Sequence, residues 1–214
     1  MKPSRLKITF FKNYEETQKE KMKFIAVNSR GTVLDIGGSQ NPNYYFDFID
    51  KVKEVYLVDI IKPLKPLPKK YTKFFDFDLN EVGKKSLPFD DNTFDTVVAA
   101  DVIEHLDHTP LPLLLEIKRI LKSKGMLIIS VPTPKYYVEL LHTLLFGKPM
   151  GFPEHKLLYT RCQMKYFLEL VEFRIIRIVG YSFWIPFLKL GFMNTKFTLP
   201  EFITWQQIYI SIKE

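Results

Sequence analysis

Apolar positions along the chain change rhythm repeatedly, and the changes mark out its elements. Residues 14–28 are polar with scattered apolar side chains, which predicts an opening helix broken by Ser29-Arg30-Gly31. A buried strand should start near Thr32 in "TVLDIGG", and "VYLVD" within "VKEVYLVDI" reads as a second. After a proline-lysine loop, "KFFDFDLN" supplies a third strand and "NTFDTVVAAD" a fourth. In "LPLLLEIKRILKSKG" the residues Leu113, Leu114, Ile117, Ile120 and Leu121 fall at helical spacing, and Gly125 is expected to stop that helix before the fifth strand "MLIISVP". Beyond Pro132, "YYVELLHTLLFG" and "TRCQMKYFLELVE" predict helices, "FRIIRIVGYSF" a sixth strand and "WQQIYISIKE" a seventh.

Short apolar strands separated by helical or loop segments point to a parallel sheet covered on both faces. The expected fold class is therefore α/β, a doubly wound, seven-stranded and mostly parallel sheet with an antiparallel last strand. A chain of 214 residues with 46% hydrophobic content suits one domain with a continuous core. No internal repeat or low-complexity linker divides it, so residues 1–214 are read as a single domain.

Composition narrows the function classes. The one cysteine, Cys162, excludes an intramolecular disulfide and fits a reducing, cytoplasmic setting; with no activating partner in view it reads as a buried or semi-exposed thiol. The stretch that begins with Lys2, Arg5 and Lys7 is too charged and too short in its apolar part for a signal peptide, and the longest span candidate, Ile178 to Leu188, stops near eleven residues, too short to cross a membrane. Lysines and arginines number 31 against 24 acids, a net charge of +7 that tolerates nucleic acid, anionic lipid or a phosphorylated substrate without selecting one. The basic stretch from Lys62 to Lys73 lacks interleaved aromatics, so it reads as a solvated loop rather than a single-strand-binding track.

The most informative stretch is "VLDIGGSQNP", where a strand delivers Asp35 and the pair Gly37-Gly38 into a turn. Residues without a Cβ at the carboxyl end of such a strand let backbone approach a ligand. Asp59 ends the second strand, where a carboxylate can accept hydrogen bonds from both hydroxyls of a ribose. A dinucleotide fingerprint would need G-x-G-x-x-G, and the chain reads Gly-Gly-Ser-Gln-Asn-Pro from Gly37. That departure favours a cofactor with ribose and adenine but no pyrophosphate.

Taken together, "VLDIGG", "VYLVDI", "FDFDLN", "LPFDDNTFDTVVAADVIEHL" and "LKSKGMLIISVPTP" resemble, in order, five motif blocks of the class I S-adenosylmethionine-dependent methyltransferases, of the broad small-molecule and glycan type. The resemblance spans about residues 30 to 183 and implies a Rossmann-like fold with S-adenosyl-L-methionine as cofactor. It implies that Asp35, Gly37 and Gly38 shape the pocket around the methionine part, that Asp59 with Ile60 holds the ribose, and that Asp78 accepts from the adenine amino group with Leu79 beside the ring. Asp101 would sit near the methionine amino group. Ser39 and Asn41 stand where the family pattern has glycines, so the loop shape is expected to differ. Asp76, two residues before Asp78, is an alternative to it, and Asp35 and Asp101 could instead cap helices.

On the acceptor side, residues 134–160 and 181–203 are expected insertions roofing the pocket, rich in aromatics and prolines. His155, within "GFPEHKLLYT", is the candidate general base for a hydroxyl acceptor, because an imidazole titrates near neutrality; its alternative is a cap for the helix starting near Thr160. His105 and His108 flank Asp107 without a complete ligand set, so no metal is expected. The expected acceptor is a small molecule, sugar or lipid-linked glycan, and "FWIPFLKLGF" permits peripheral membrane contact. Nucleic acid is not favoured, for want of a base-flipping motif or paired catalytic cysteines. A noncatalytic cofactor-binding subunit is the remaining alternative, and oligomeric state is not legible.

Overall fold

The computed structural model describes residues 8–11, 14–147, 154–185, 190–194 and 198–214. In chain order its strands are β1 (Ile8–Phe11), β2 (Gly31–Ile36), β3 (Val52–Asp59), β4 (Tyr71–Asp76), β5 (Phe94–Ala100), β6 (Leu121–Pro132), β7 (Phe173–Ile185), β8 (Leu190–Asn194) and β9 (Gln206–Lys213). Its helices are α1 (Tyr14–Asn28), α2 (Leu111–Ile120), α3 (Tyr137–Phe146) and α4 (Arg161–Leu170). The strands form one sheet in the order β1-β8-β7-β9-β6-β5-β2-β3-β4. Neighbours from β4 through β6 are parallel, and β9 runs antiparallel to both β6 and β7.

The expected seven strands are therefore present with the last one antiparallel, and two more join them, making nine among the described residues. The two additions are edge strands: β8 lies antiparallel on β7, and β1 antiparallel on β8. At four and five residues they are too short to show alternation. Much of the region expected as an insertion at 181–203 thus extends the sheet, through the end of β7 and through β8.

Alternate residues of the central strands serve opposite faces, as both-sided burial of a parallel sheet demands. From β2, Leu34 and Ile36 face α2 and α4, packing with Leu113, Leu114, Ile117, Met164 and Leu168. Val33 points the other way, toward Phe24 and Ile25 of α1, beside Val55, Val98 and Ile128. Each of these aliphatic side chains is worth about 1.5–3 kcal/mol when fully buried, which is why the apolar periods in the sequence locate the helices so well.

Local stop signals were less faithful. α2 ends at Ile120, capped by the Leu121 N–H on the Ile117 carbonyl, and Gly125 lies in the irregularity where residues 122–125 bulge from the β5–β6 ladder. A Cβ on Gly125 would come 2.7 Å from the Lys122 carbonyl oxygen, so the glycine serves that bulge. α4 starts at a capping box in which the Thr160 side chain accepts from the Gln163 N–H and Gln163 reaches back to Thr160. Cys162, in the first turn of α4, is exposed rather than buried or semi-exposed.

The strands after β2 progress in opposite directions, β3 and β4 to one side and β5 and β6 to the other. Loops leaving the carboxyl ends of β2 and β5 must therefore part, and a crevice opens between them.

Candidate functional site

That crevice is a cleft of about 1010 Å³, at the upper end for a small-ligand site. Asp35, Gly37, Gly38, Asp59, Ile60, Asp78, Leu79, Asp101 and His155 all line it.

Its floor is the turn after β2. Gly37 adopts φ +72°, its N–H donates to the Val58 carbonyl at 2.9 Å, and an added Cβ would come 2.6 Å from Val102 Cγ2. A Cβ on Gly38 would approach Asp35 Oδ2 to 2.4 Å. The turn thus lies directly on the Asp35 side chain, which is held beneath it by the Tyr71 hydroxyl; that hydroxyl in turn accepts the Asn43 N–H at 2.9 Å. Burial pushes the Asp35 carboxyl up to about 7, helped by the nearby Asp59 charge and opposed by the Tyr71 bond. Burial also raises the Tyr71 hydroxyl well above the usual phenol range.

Asp59 closes β3, and its two oxygens accept the Ser39 and Ile61 N–H groups, each at 3.0 Å. The carboxylate therefore bridges the turn after β2 and the loop after β3, and keeps lone pairs free for further donors. Asp78 accepts the Asn80 N–H at 2.9 Å and so caps the short 3-10 turn Leu79–Glu81, while still lining the cleft. Asp76 ends β4 with its side chain exposed, away from the cleft lining.

Asp101 follows β5 in the left-handed region at φ +57°. Its carboxylate is engaged by the Lys21 ammonium, by the Ser130 hydroxyl at 2.7 Å and by Gln206 Nε2 at 3.0 Å. The buried Lys21 comes from α1, on the helical face it shares with Gln18 and Met22, which also line the cleft. Helix-capping by Asp35 or Asp101 is not what these contacts show: Asp35 serves Tyr71, and Asp101 serves an ion pair.

Beyond Asp101 the 3-10 turn Ile103–His105 brings Glu104 and His105 to the wall. The Glu104 carbonyl accepts the Lys156 and Leu157 N–H groups at 2.8 and 3.2 Å, and His105 Nδ1 lies 3.0 Å from the Glu154 carbonyl oxygen. These bonds stitch residues 154–157 onto the turn and set the His155 ring 5.0 Å from that of His105. Burial, with the neighbouring His105, lowers the His155 imidazole below its ordinary value and so favours its neutral form. Glu104 is 1% exposed, and burial together with Asp101 raises its carboxyl well above the usual range. The cap of α4 belongs to Thr160, so the alternative role for His155 is removed. Asp107 does not join its two flanking histidines; it pairs with Lys156 at 2.6 Å.

Residues 34–129 match the family model described as a methyltransferase domain. The matched segment runs from β2 into β6, a little under half of the chain. Over 74 residues, 33% of the chain, the sequence is 39% identical to an uncharacterized protein of Methanocaldococcus jannaschii, and the match spans only 32% of that relative. Among solved structures, an S-adenosylmethionine-dependent methyltransferase from Archaeoglobus fulgidus superposes with a TM-score of 0.66 at 19% identity, covering 92% of this chain and 94% of its own. The [4+2]-cyclase SpnF superposes with a TM-score of 0.62 at 15% identity, covering 94% and 82% respectively. The methyltransferase fold thus extends over nearly the whole chain, and the cyclase shows that this fold also serves other chemistry.

S-adenosylmethionine, which the sequence resemblance implies as cofactor, fits this cleft on one further observation. Gln18 Nε2 and Gln206 Oε1 are buried with no hydrogen-bond partner among the described residues, and both residues line the wall that holds Asp101. Such atoms require a donor or acceptor from a ligand or water.

Lys21, Tyr71, Glu104 and Gln206 escaped the sequence reading. Lys21 and Gln206 reach Asp101 across 80 and 105 residues, so no local pattern announces them. Glu104 was readable as part of "EHL", but its burial was not. From the expected acceptor-side segments, Glu154 and His155 reach the cleft, whereas α3 does not. Phe152, the rest of 148–153, and residues 186–189 and 195–197 lie outside the described residues, as do the side chains of "FWIPFLKLGF".

Proposed function

We propose that this protein is a methyltransferase that moves the methyl group of S-adenosylmethionine onto a small-molecule, sugar or lipid-linked acceptor. One observation carries the reading: all eight residues expected to hold the cofactor line a single cleft together with His155. In this reading Asp59 accepts from the ribose hydroxyls, Ile60 and Leu79 flank the adenine and Asp78 accepts from its amino group. Gly37 and Gly38, laid over Asp35, leave room for the methionine part. Asp101, already paired with Lys21, belongs to the polar wall that meets its amino and carboxylate groups.

Methyl transfer from a sulfonium needs chiefly in-line positioning, so the residues around His155 have only to bring the acceptor to the methyl carbon. A neutral His155 supplies a lone pair there. A nucleic-acid acceptor is disfavoured by the lining, which carries seven acidic side chains against three lysines and so keeps an excess of acids even with Asp35 and Glu104 raised, an environment that repels phosphates. The exposed single thiol and the basic composition suit a cytoplasmic protein with peripheral contacts rather than an exported one.

The test is calorimetric titration of the protein with S-adenosylmethionine, S-adenosylhomocysteine and nicotinamide dinucleotides, followed by methyl-labelled cofactor with small-molecule and lipid-linked pools. Binding of the two sulfur nucleotides and label transfer are expected. Binding of a nicotinamide dinucleotide in their place overturns the cofactor reading, and cofactor binding with no transfer to any pool favours the noncatalytic subunit.

A further inference from the structure

In the wall of the cleft three metal-ligating side chains meet. Glu104, His105 and His155 each offer one donor atom, and the three donors lie within 4.8 Å of one another. They arrive from two distant parts of the chain, the turn after β5 and the segment before α4, and the backbone bonds between Glu104 and residues 156 and 157 hold the two parts together.

Glu104 supplies the second, independent observation. It is 1% exposed, both carboxylate oxygens are buried, and neither has a hydrogen-bond partner among the described residues. A carboxyl placed so, in the wall of a cleft, is among the costliest arrangements a protein can keep without a ligand. His105 adds a third. For Nδ1 to bond the Glu154 carbonyl it must carry the ring proton, which leaves Nε2 with its lone pair in the neutral ring. A backbone carbonyl that fixes the tautomer in this way is the usual outer partner of a metal-bound histidine.

We propose that Glu104, His105 and His155 form a binding site for a divalent first-row transition cation, such as zinc, at the acceptor end of the cleft. Two imidazoles and one carboxylate select such an ion over magnesium or calcium, which prefer oxygen donors throughout. Three protein donors leave at least one coordination position open toward the cleft, the arrangement of a reactive rather than a structural site. Donors around such an ion stand roughly 3 Å apart, so side-chain rotation must draw this set inward on binding. An oxygen of the acceptor would occupy the open position, and His155 then serves as a ligand rather than as a free base. The site goes beyond the methyl-transfer reading, and the cation alone can probe it.

The experiment uses untagged full-length protein, stripped with chelator and titrated with cobalt(II) by visible absorption and with zinc by calorimetry. One equivalent should bind, with d–d bands of a mixed nitrogen-oxygen site. Glu104→Gln, His105→Ala and His155→Ala should each weaken binding by about 10²-fold or more, while His108→Ala, close in sequence but outside the trio, should leave it unchanged. S-adenosylhomocysteine binding in excess chelator verifies that each variant is folded, and separates failure of the cation site from failure of the cofactor reading. Since three ligand variants carry the same test, one that does not fold leaves two. No saturable binding up to millimolar cation, or binding indifferent to the ligand variants, or lost equally with His108→Ala, overturns the proposal.

Discussion

Asp59→Ala isolates the claim that one carboxylate both shapes the cleft and holds the cofactor. In the free protein its oxygens accept the N–H groups of Ser39 and Ile61, at 3.0 Å each, and Ser39 is 3% exposed. Truncation leaves the Ser39 N–H buried without its acceptor, which costs about 1–3 kcal/mol of folding stability. Bonds from ribose hydroxyls to a charged acceptor are worth about 1.5–3 kcal/mol, so the dissociation constant for S-adenosylhomocysteine should rise about 10- to 150-fold. Urea denaturation measures the first effect and calorimetric titration the second, on the same preparation. Asp59→Asn should fall between, because it keeps one acceptor oxygen while its amide nitrogen faces a backbone donor. A folded Asp59→Ala protein that binds S-adenosylhomocysteine as tightly as the parent would refute the ribose assignment, whatever its stability.

The Asp35 carboxyl supplies a pH signature. Its folded-state value of about 7 lies above the ordinary aspartate value, so its contribution to stability is complete below pH 4 and is lost as pH rises toward 7, by about 4 kcal/mol. Asp35→Asn, which cannot ionise and can still accept from Tyr71, should therefore gain stability relative to the parent across that window in the cofactor-free state; a difference independent of pH would contradict this. Gly37→Ala meets both a left-handed backbone and Val102 Cγ2 at 2.6 Å, and should cost about 1–2 kcal/mol with loss of cofactor affinity. Adding Val102→Ala should restore only the steric part, and complete restoration would show that the backbone angle carries no strain. Thr160→Ala removes the capping box of α4 and should lower stability by about 1 kcal/mol without altering cofactor binding; an unchanged urea midpoint would show the cap to be idle.

The sequence by itself determined the elements whose causes are local. Apolar blocks such as "VLDI" and "TVVAA" had to be strands buried on both faces, and Leu113, Leu114, Ile117 and Ile120 had to form one stripe of a helix, because burial imposes those periods. The bounds of α1, at Tyr14 and Asn28, were legible from its polar run and from the break at Ser29-Arg30-Gly31. Positions at or just past strand ends pointed Gly37 and Asp59 to a ligand crevice, since a parallel sheet gathers ligands at the carboxyl ends of its strands, whereas Asp78 rested on the family resemblance. Tertiary structure decided what depends on chain pairs far apart in sequence. Edge strand β8 forms on the open ladder that β7 runs on to offer, and β1 in turn on β8. The choice between Asp76 and Asp78 turned on which side chain the chain path leaves in the cleft. Lys21 and Gln206 converge on Asp101 only once α1 and β9 are packed against the sheet. The meeting of Glu104 and His105 with His155 was invisible for the same physical reason: it is made by backbone bonds across some fifty residues, between stretches that carry no common pattern.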